Sequence, residues 1–265
     1  MFFNFAYKGK PLKNAPKCFM TTKKDGSMRF RWNETNDLRN STLKQILVDN
    51  NWQNKRFCPV ELIHSQIVYD VKSADDTKNL QGDGIITTNK DIIPTITIAD
   101  CVPIYFYNPS SGVFGIVHSG WKGTGIIGKA LEKASLDYNS PLSDFYIVIG
   151  PHIHDCCYIV NEERAKYFTD NFTSECISPL EENGKCYCGG KGLPVTWNNG
   201  NGKLFRLSLL KANLSVLKKA GVDENKINVI DECTCCNDIF GSNRRETAFN
   251  GKPDSFTVQA AFINW

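Results

Sequence analysis

Two side chains with reactive chemistry lie where apolar segments of the sequence end. The apolar segment Ile92–Ile98 is followed by Cys101, and a second one, Val113–Val117, is followed by His118. Residues 108–112 (NPSSG) form a turn signal that joins these extended segments and is short enough to make them neighbours. We therefore expect Cys101 and His118 to meet in space.

Metal binding is one chemistry open to this pair, because thiolate and imidazole are ligands that zinc and copper prefer. His64, which the alternating segment Pro59–Asp70 places on another predicted strand, is a candidate third ligand. Three protein ligands leave the fourth position of a tetrahedral zinc site to water, which then loses a proton near neutral pH. The separations of 37 and 17 residues between the three match no compact zinc-finger spacing.

Two other interpretations of Cys101 and His118 compete with a metal site. The pair could act as a thiolate nucleophile and its general base, as in hydrolases that proceed through a thioester. Alternatively, Cys101 is a small buried hydrophobic residue and His118 a hydrogen-bonded core residue. Both residues end apolar strands and are followed closely by Pro or Gly, a placement that favours a site at the rim of a sheet.

Hydrophobic periodicity in the rest of the sequence predicts the helices and strands that would position this site. Helical periodicity and end signals predict helices over 41–51, 124–138, 162–171 and 205–220. Apolar runs predict further strands over 85–88, 145–149, 227–230 and 255–265, whereas 178–201 shows no clear periodicity. The expected fold class is α/β (α+β), with residues 1–265 forming a single domain of mixed β-sheets flanked by helices.

Composition and charge narrow the class of partner. The 31 basic and 28 acidic residues are well mixed and give a net charge of +3, so we expect neither nucleic acid nor a membrane as the partner. The amino terminus lacks the features of a signal peptide and no apolar run reaches the ~20 residues a bilayer requires, which predicts a cytoplasmic protein. Eleven cysteines in so long a chain favour reduced thiols or metal ligands over a disulfide framework.

The central segment resembles the signature of a known family. ADCVP at 99–103 and VHSGWKG at 117–123 are similar to the ADC-x-P and VH-[AS]-GW-[RK]-G motifs of the laccase-domain family, which includes proteins described as multicopper polyphenol oxidases, purine nucleoside phosphorylases and peptidoglycan editing factors. The likeness extends from residue 83 to residue 245. It includes GDGIIT at 82–87, IGP at 149–151, YIV at 158–160, CT at 233–234 and SNRR at 242–245.

The resemblance implies the laccase-domain family fold and a catalytic Zn²⁺ held by His64, Cys101 and His118. Around His64 the chain reads LIHSQIV, where the family more often has QVHG. Family members are reported to split adenosine, inosine and methylthioadenosine with phosphate and to deaminate adenosine. The implied partners are therefore small molecules, a purine nucleoside and phosphate; the sequence does not indicate the oligomeric state.

Three further residues are candidate substrate-binding groups. Arg244 and Arg245 would suit phosphate, because a guanidinium fork matches a planar oxyanion, although a surface pair or a structural ion pair explains them equally well. Asp83 would be a polar member of the site or simply the cap of its glycine-flanked turn. Trp121 and Tyr158 would stack on a base or serve as packing residues.

Two alternative functions are also compatible with the sequence. One is a copper-dependent (Cu²⁺) polyphenol oxidase of the laccase type, the activity behind the older family name. Against it, such oxidation needs several coppers and a histidine-rich sequence, and this chain has four His. The other is a non-catalytic metal-binding or cell-wall maintenance protein.

Further histidines and cysteines raise separate hypotheses. His152 and His154 follow a predicted strand and would lie on one side of it, either near the site or in solvent. A second, structural metal could use Cys186 and Cys188 together with cysteines 233, 235 and 236. Free thiols are the favoured interpretation, since C-x-C is a weaker zinc signal than C-x-x-C.

Overall fold

A computed structural model describes residues 1–180, 202–250 and 255–265, with the side chains of 248–250 excepted. Within these ranges the helices are α1 (Asp37–Asp49), α2 (Ile126–Tyr138), α3 (Glu162–Asn171), α4 (Leu209–Lys219) and α5 (Asn243–Asn250). The strands are β1 (Phe2–Asn4), β2 (Ala6–Tyr7), β3 (Lys10–Pro11), β4 (Lys17–Met20), β5 (Arg56–Pro59), β6 (Val68–Asp70), β7 (Gly84–Thr87), β8 (Ile92–Ile98), β9 (Val102–Tyr107), β10 (Phe114–Ser119), β11 (Tyr146–Ile149), β12 (Ile159–Asn161), β13 (Ile177–Pro179), β14 (Leu204–Leu207), β15 (Ile227–Val229) and β16 (Gln259–Asn264). None of the helices in the described ranges has the length and apolar character needed to cross a membrane.

Two mixed sheets form the centre of the molecule. One has five strands in the order β1-β4-β16-β8-β5, and the other has six in the order β15-β11-β9-β10-β7-β6. Parallel pairs occur where the chain returns after a crossover, as in β5 with β8, β6 with β7 and β11 with β15. Smaller sheets pair β12, β14 and β13, and β2 with β3. The expected class of mixed sheets flanked by helices is confirmed.

Alternation along β9 shows how the layers pack. Successive side chains of a strand point to opposite faces, so Ile104 and Phe106 pack against helices α2 and α4, whereas Tyr105 and Tyr107 face the five-stranded sheet. Helix α1 covers the outer face of the five-stranded sheet. Each fully buried side chain of this size contributes about 1.5–3 kcal/mol to folding. The result is a helix–sheet–sheet–helix sandwich.

Helix ends follow capping side chains, which corrects two predicted boundaries. Helix α1 begins before Ser41, because Asn36 is its N-cap and accepts a hydrogen bond from the backbone N–H of Arg39. Helix α4 begins at Leu209 instead of residue 205, because Ser208 is its N-cap and residues 204–207 form β14. The helices predicted over 124–138 and 162–171 are confirmed, within two residues at their ends.

The single strand predicted over Pro59–Asp70 is interrupted, and only its ends are extended: Pro59 ends β5, and Val68–Asp70 is β6. The chain leaves the five-stranded sheet at the end of β5 and enters the six-stranded sheet at β6, so the residues between them bend from one sheet to the other. His64 lies in this connection with φ of 60°, in the left-handed region. Helix α5 and the small sheet of β12 to β14 were not predicted. Most of the segment 178–201 lies outside the described residues.

Strands β8, β9 and β10 bring the central motif together. The chain crosses from the five-stranded sheet to the six-stranded sheet between Ile98 and Val102, and Cys101 is the last residue of that crossing. Strand β9 then pairs antiparallel with β10, which sets Pro103 opposite His118. Cys101 and His118 therefore lie at the same end of the six-stranded sheet, as expected. The connection predicted between their segments is wrong, however, because the turn at 108–112 joins β9 to β10, whereas Ile92–Ile98 is β8 of the five-stranded sheet.

Candidate active site

Three side chains with metal-ligand chemistry converge at this end of the sheet. His64 from the β5–β6 connection, Cys101 before β9 and His118 in β10 place one ligand atom each within 4.8 Å of one another. The two imidazole rings are 5.0 Å apart at their centroids and meet nearly edge to face. We call this group the imidazole–thiolate site. Two nitrogens and one sulfur are a donor set that suits zinc.

Gly120 keeps the space between these ligands open. A Cβ atom at this position would lie 2.9 Å from the Cys101 sulfur, 3.2 Å from Cδ2 of His64 and 3.4 Å from Cε1 of His118. The chain therefore needs a residue without a side chain at the point where the three ligands face one another. This observation and the donor set both fit a divalent cation bound by the three residues.

One buried carboxylate organises two of the three candidate ligands. Oδ1 of Asp83 lies 2.8 Å from Nδ1 of His118 and accepts the backbone N–H of His64 at 3.0 Å, while Oδ2 accepts from the backbone and the hydroxyl of Ser65. The first contact leaves Nε2 of His118 for a metal, and a carboxylate bonded to the other ring nitrogen is typical of metal-binding histidines. The backbone contacts hold the strained left-handed turn at His64.

Charges within the site favour an ionised thiol. Burial disfavours the thiolate, but attraction to and hydrogen bonds with His118 and His64 outweigh it and lower the pKa of Cys101 to about 6. Burial likewise disfavours an imidazolium at His118, yet the Cys101 sulfur and the Asp83 carboxylate raise its pKa to about 10. The Cys101 thiol therefore ionises near neutral pH, as metal binding requires, whereas His118 would release a proton when an ion binds.

The site opens into a cavity of about 400 Å³. Such a volume is in the range that binds small organic ligands. Its lining combines aromatic rings, which can stack on a flat base, with guanidinium groups, which can bind an anion. The aromatic members are Phe30, Trp121, Tyr158 and Phe256, and the arginines are Arg29, Arg31, Arg164 and Arg244.

On one wall, guanidinium groups and aromatic rings interleave. Cζ of Arg164 lies 3.6 Å from the centroid of the Trp121 ring, and its Nη1 donates to the Tyr158 hydroxyl at 3.4 Å. Cζ of Arg244 lies 5.3 Å from the Tyr158 centroid, and its Nη1 donates to the carbonyl of Cys157 at 3.2 Å. These contacts fix two cations at the cavity wall, where an anionic group could reach them.

The other substrate-binding candidates lie away from the cavity. Asp83 is fully buried beneath the imidazole–thiolate site. Nη1 of Arg245 donates to the carbonyls of Thr234, Cys235 and Asn237, so this guanidinium holds a loop together. Sequence reasoning named neither Arg164 nor the residues from the amino-terminal and carboxy-terminal segments, because only the fold brings these distant segments to one cavity.

Asp100 connects the cavity to the loop that follows β15. Its carboxylate accepts from the hydroxyls of Thr234 and Ser242 at 2.7 and 3.0 Å and from the backbone N–H of Arg244 at 2.7 Å. Burial raises the pKa of Asp100 in spite of these bonds. Asp100, which directly precedes Cys101, thus fixes the start of α5, and with it Arg244.

Other histidines and cysteines group elsewhere. Of the segment His152–His154, only the central Ile153 is among the described residues that line the cavity. Cys186 and Cys188 lie outside the described residues. A second set of thiols has all its sulfur atoms within 4.8 Å of one another and includes two residues that the sequence hypothesis did not assign to it. We call it the four-cysteine cluster: Cys156, Cys157, Cys233 and Cys236.

Comparison with known proteins identifies the family of this chain. Residues 20–258 match the family described as multi-copper polyphenol oxidoreductase laccase. The chain is 29% identical over 213 residues to "Purine nucleoside phosphorylase YlmD" of Geobacillus stearothermophilus, covering 76% of this chain and 72% of the relative. It is 31% identical over 200 residues to "Purine nucleoside phosphorylase CA_C1699" of Clostridium acetobutylicum, covering 74% of each.

Solved structures agree on the fold. The hypothetical protein YfiH of Bacillus licheniformis superposes with a TM-score of 0.76 at 22% identity and covers 94% of this chain and 92% of its own. The YlmD structure from Geobacillus stearothermophilus gives a TM-score of 0.74 at 24% identity and covers 98% of both chains. The layered arrangement of two mixed sheets is therefore shared with these proteins.

Proposed function

We propose that this chain, which belongs to the family described as multi-copper polyphenol oxidoreductase laccase, is a zinc-dependent purine nucleoside phosphorylase. Adenosine, inosine and methylthioadenosine are the proposed nucleosides, each split with phosphate, and deamination of adenosine is the proposed second activity. The observation that carries the proposal is the convergence of His64, Cys101 and His118 at the floor of a cavity lined by aromatic rings and arginines. Two relatives named purine nucleoside phosphorylase, from Geobacillus stearothermophilus and Clostridium acetobutylicum, support an enzyme of this kind.

His64, Cys101 and His118 would hold the ion. When bound, zinc supplies a Lewis acid and lowers the pKa of water in the fourth position, which is the chemistry that deamination of a purine needs. Asp83 would leave Nε2 of His118 available to the ion by bonding Nδ1, and it would hold the backbone of His64. Asp83 thus acts through other residues instead of binding substrate.

Phosphorolysis places different requirements on the cavity. The nucleoside and phosphate must be held in contact at the sugar carbon, and the charge that develops on the departing purine must be stabilised. Trp121 and Tyr158 would stack on the base, and Arg164 and Arg244 would bind phosphate, since a guanidinium fork matches its oxygens. Arg245 would support this wall through the carbonyls it binds.

The copper-dependent oxidation of phenols is the weaker alternative for this chain. Reduction of dioxygen by a multicopper oxidase requires several copper ions with many imidazole ligands, and the entire sequence contains four His. The imidazole–thiolate site has two of them. We expect any phenol oxidation to be slow and to require added copper.

Product analysis tests the proposal. Zinc-loaded protein is incubated with adenosine, with and without phosphate, and the products are separated by chromatography. Adenine and ribose 1-phosphate are expected only with phosphate, and inosine under both conditions. The Cys101→Ala variant should lose both activities. The matched control Cys58→Ser should retain them, since Cys58 is a buried thiol 3.3 Å from the Thr77 hydroxyl, a contact that serine preserves.

The same assay shows whether the proposed function is wrong. If zinc-loaded protein releases no purine base from any of the three nucleosides in the presence of phosphate, the phosphorylase assignment is wrong. Formation of inosine alone would leave a deaminase, and oxidation of a phenol only after addition of copper would favour the alternative.

A further inference from the structure

The four-cysteine cluster is formed by two pairs of cysteines on two turns. Cys156 and Cys157 lie on the turn after β11, and Cys233 and Cys236 lie on the turn after β15. The sulfur atoms of the first pair are 3.4 Å apart, and those of Cys157 and Cys236 are 3.3 Å apart. Further sulfur separations are 3.5 Å between Cys156 and Cys236, 3.7 Å between Cys157 and Cys233, and 3.8 Å between Cys156 and Cys233.

These distances lie close to the edges of one coordination tetrahedron, and the longest of them equal those edges. Four sulfur atoms about 2.3 Å from a central zinc ion lie about 3.8 Å from one another. A disulfide requires a sulfur separation of about 2.05 Å and joins only two of the four residues. Sulfur separations of 3.3 to 3.8 Å between pairs that span both turns therefore fit a common ligand set better than a disulfide.

The surroundings of the cluster are those of a metal thiolate site. The backbone N–H of His154 donates to the Cys233 sulfur at 3.4 Å, a contact that stabilises a thiolate. Cys233 and Cys236 are spaced as C-x-x-C, and the backbone N–H of Asn237 closes their turn on the carbonyl of Cys233 at 2.9 Å. Cys157 and Cys233 are buried, whereas Cys236 is exposed, so an ion has a path of entry from the surface.

Positive charge is concentrated beside the cluster. Arg206 donates to the carbonyl of Cys156 at 2.9 Å, Arg244 to that of Cys157 at 3.2 Å, and Arg245 to that of Cys235 at 2.9 Å. One divalent cation with four thiolates carries two net negative charges, and three guanidinium groups bonded to the same two turns offset them.

We propose that Cys156, Cys157, Cys233 and Cys236 form a second metal site that binds one zinc ion with four thiolates and serves the structure. Binding releases the thiol protons to solvent and forms four zinc–sulfur bonds, with no change of oxidation state. The ion cross-links the turns after β11 and β15. Tyr158 directly follows one of these turns, and Thr234 of the other is bonded to Asp100, so the ion would hold the wall of the cavity without contacting substrate.

Zinc content of defined variants tests this proposal separately from the proposed function. The parent protein should contain about two zinc ions per chain. The Cys233→Ser/Cys236→Ser variant and the His118→Ala variant should each lose about one, and their combination should lose both. The control Cys176→Ser should lose none, since Cys176 is a buried thiol that donates to the carbonyl of Thr173, as serine also can. Undiminished zinc in the double cysteine variant would overturn the proposal, whatever the enzyme assay shows.

X-ray absorption at the zinc edge covers the case in which the double cysteine variant does not fold. In the His118→Ala variant, whose four cysteines are intact, the remaining zinc should show a shell of four sulfur atoms at about 2.3 Å. A shell dominated by nitrogen or oxygen, or a protein mass reduced by the hydrogens lost to a disulfide within the cluster, would contradict a tetrathiolate site.

Discussion

Two clusters of metal-ligand side chains in this molecule differ in composition and in access. The imidazole–thiolate site offers two nitrogens and one sulfur and faces a cavity of about 400 Å³. The four-cysteine cluster offers four sulfurs from two turns that close on each other. Catalytic zinc sites keep one position for water or substrate, whereas structural sites fill all four with protein. The number of protein donors thus separates a site for chemistry from one for cross-linking. We refer to the imidazole–thiolate site as the open site and to the four-cysteine cluster as the closed cluster.

The two regions also differ in what holds their ligands. In the open site the carboxylate of Asp83 fixes the ring of His118 and the backbone of His64. In the closed cluster, arginine side chains bind the carbonyl groups of the cysteine turns instead. Asp100 joins the regions, because it precedes Cys101 and binds Thr234. Loss of the open site should therefore abolish activity. Loss of the closed cluster should change activity only indirectly, by disturbing the cavity wall.

The largest effect is expected from removing an imidazole of the open site. The His118→Ala variant should lose about a thousand-fold or more in kcat/KM for phosphorolysis, which corresponds to about 4 kcal/mol. The reason is that two ligands are too few to retain zinc at neutral pH. Steady-state kinetics on protein of measured zinc content checks this. Activity within about ten-fold of the parent would show that the open site is not the catalytic one.

A methyl group introduced between the ligands should have the next largest effect. In Gly120→Ala the added carbon would lie 2.9 Å from the Cys101 sulfur, too close for the ligands to keep their places. We expect about a hundred-fold loss of activity, or about 3 kcal/mol, with weaker zinc binding. The matched control is Gly202→Ala, where an added carbon has no described atom within 4 Å. Equal behaviour of the two variants would contradict the geometry of the open site.

Removing the negative charge of Asp83, beneath the open site, should have a smaller effect than the two variants above. In Asp83→Asn the amide nitrogen must face donors, because the four hydrogen bonds of the carboxylate all come from N–H or O–H groups of His64, Ser65 and His118. Zinc affinity should fall by about 10- to 100-fold, as measured by competition with a chelator. The control Asp75→Asn alters an exposed ion pair with Arg56 and should leave affinity unchanged. Unchanged affinity in Asp83→Asn would remove the positioning role of this carboxylate.

The smallest effect concerns His152, which pairs through the backbone with Cys233 of the closed cluster. Burial lowers its pKa to about 4. The unfolded chain, with a pKa of about 6.5, therefore takes up a proton first as the pH falls, and stability declines between those values. From pH 7 to about 5.5 the loss should be about 1 kcal/mol in urea unfolding. His152→Asn should reduce this loss of stability. An identical pH dependence of unfolding in the variant would show that His152 is not the group responsible.

Local features explain what could be predicted from the sequence. A short turn joins β9 to β10, so the proximity of Cys101 and His118 follows from neighbouring residues alone. Apolar periodicity located the long helices, but their ends depend on capping by Asn36 and Ser208, which compete with other polar residues nearby. The strand predicted around His64 failed because alternation of polarity does not reveal where a chain passes between two sheets.

Long-range contacts explain what could not be predicted. The cavity draws its arginines and aromatic rings from segments as distant as Arg29 and Phe256, and no spacing rule joins them. The C-x-x-C spacing of Cys233 and Cys236 was a usable signal for the closed cluster. Its partner pair, however, is 77 residues away from Cys233 and adjacent in sequence, a pattern that matches no common zinc motif.

An anomalous diffraction map at the zinc edge, from crystals of protein purified without added metal, tests the central claim most directly. The account predicts a peak about 2.0–2.3 Å from the Cys101 sulfur and from one nitrogen each of His64 and His118, with its fourth side facing the cavity. No peak among these three residues, or a peak enclosed by a fourth protein ligand, would contradict an open catalytic site.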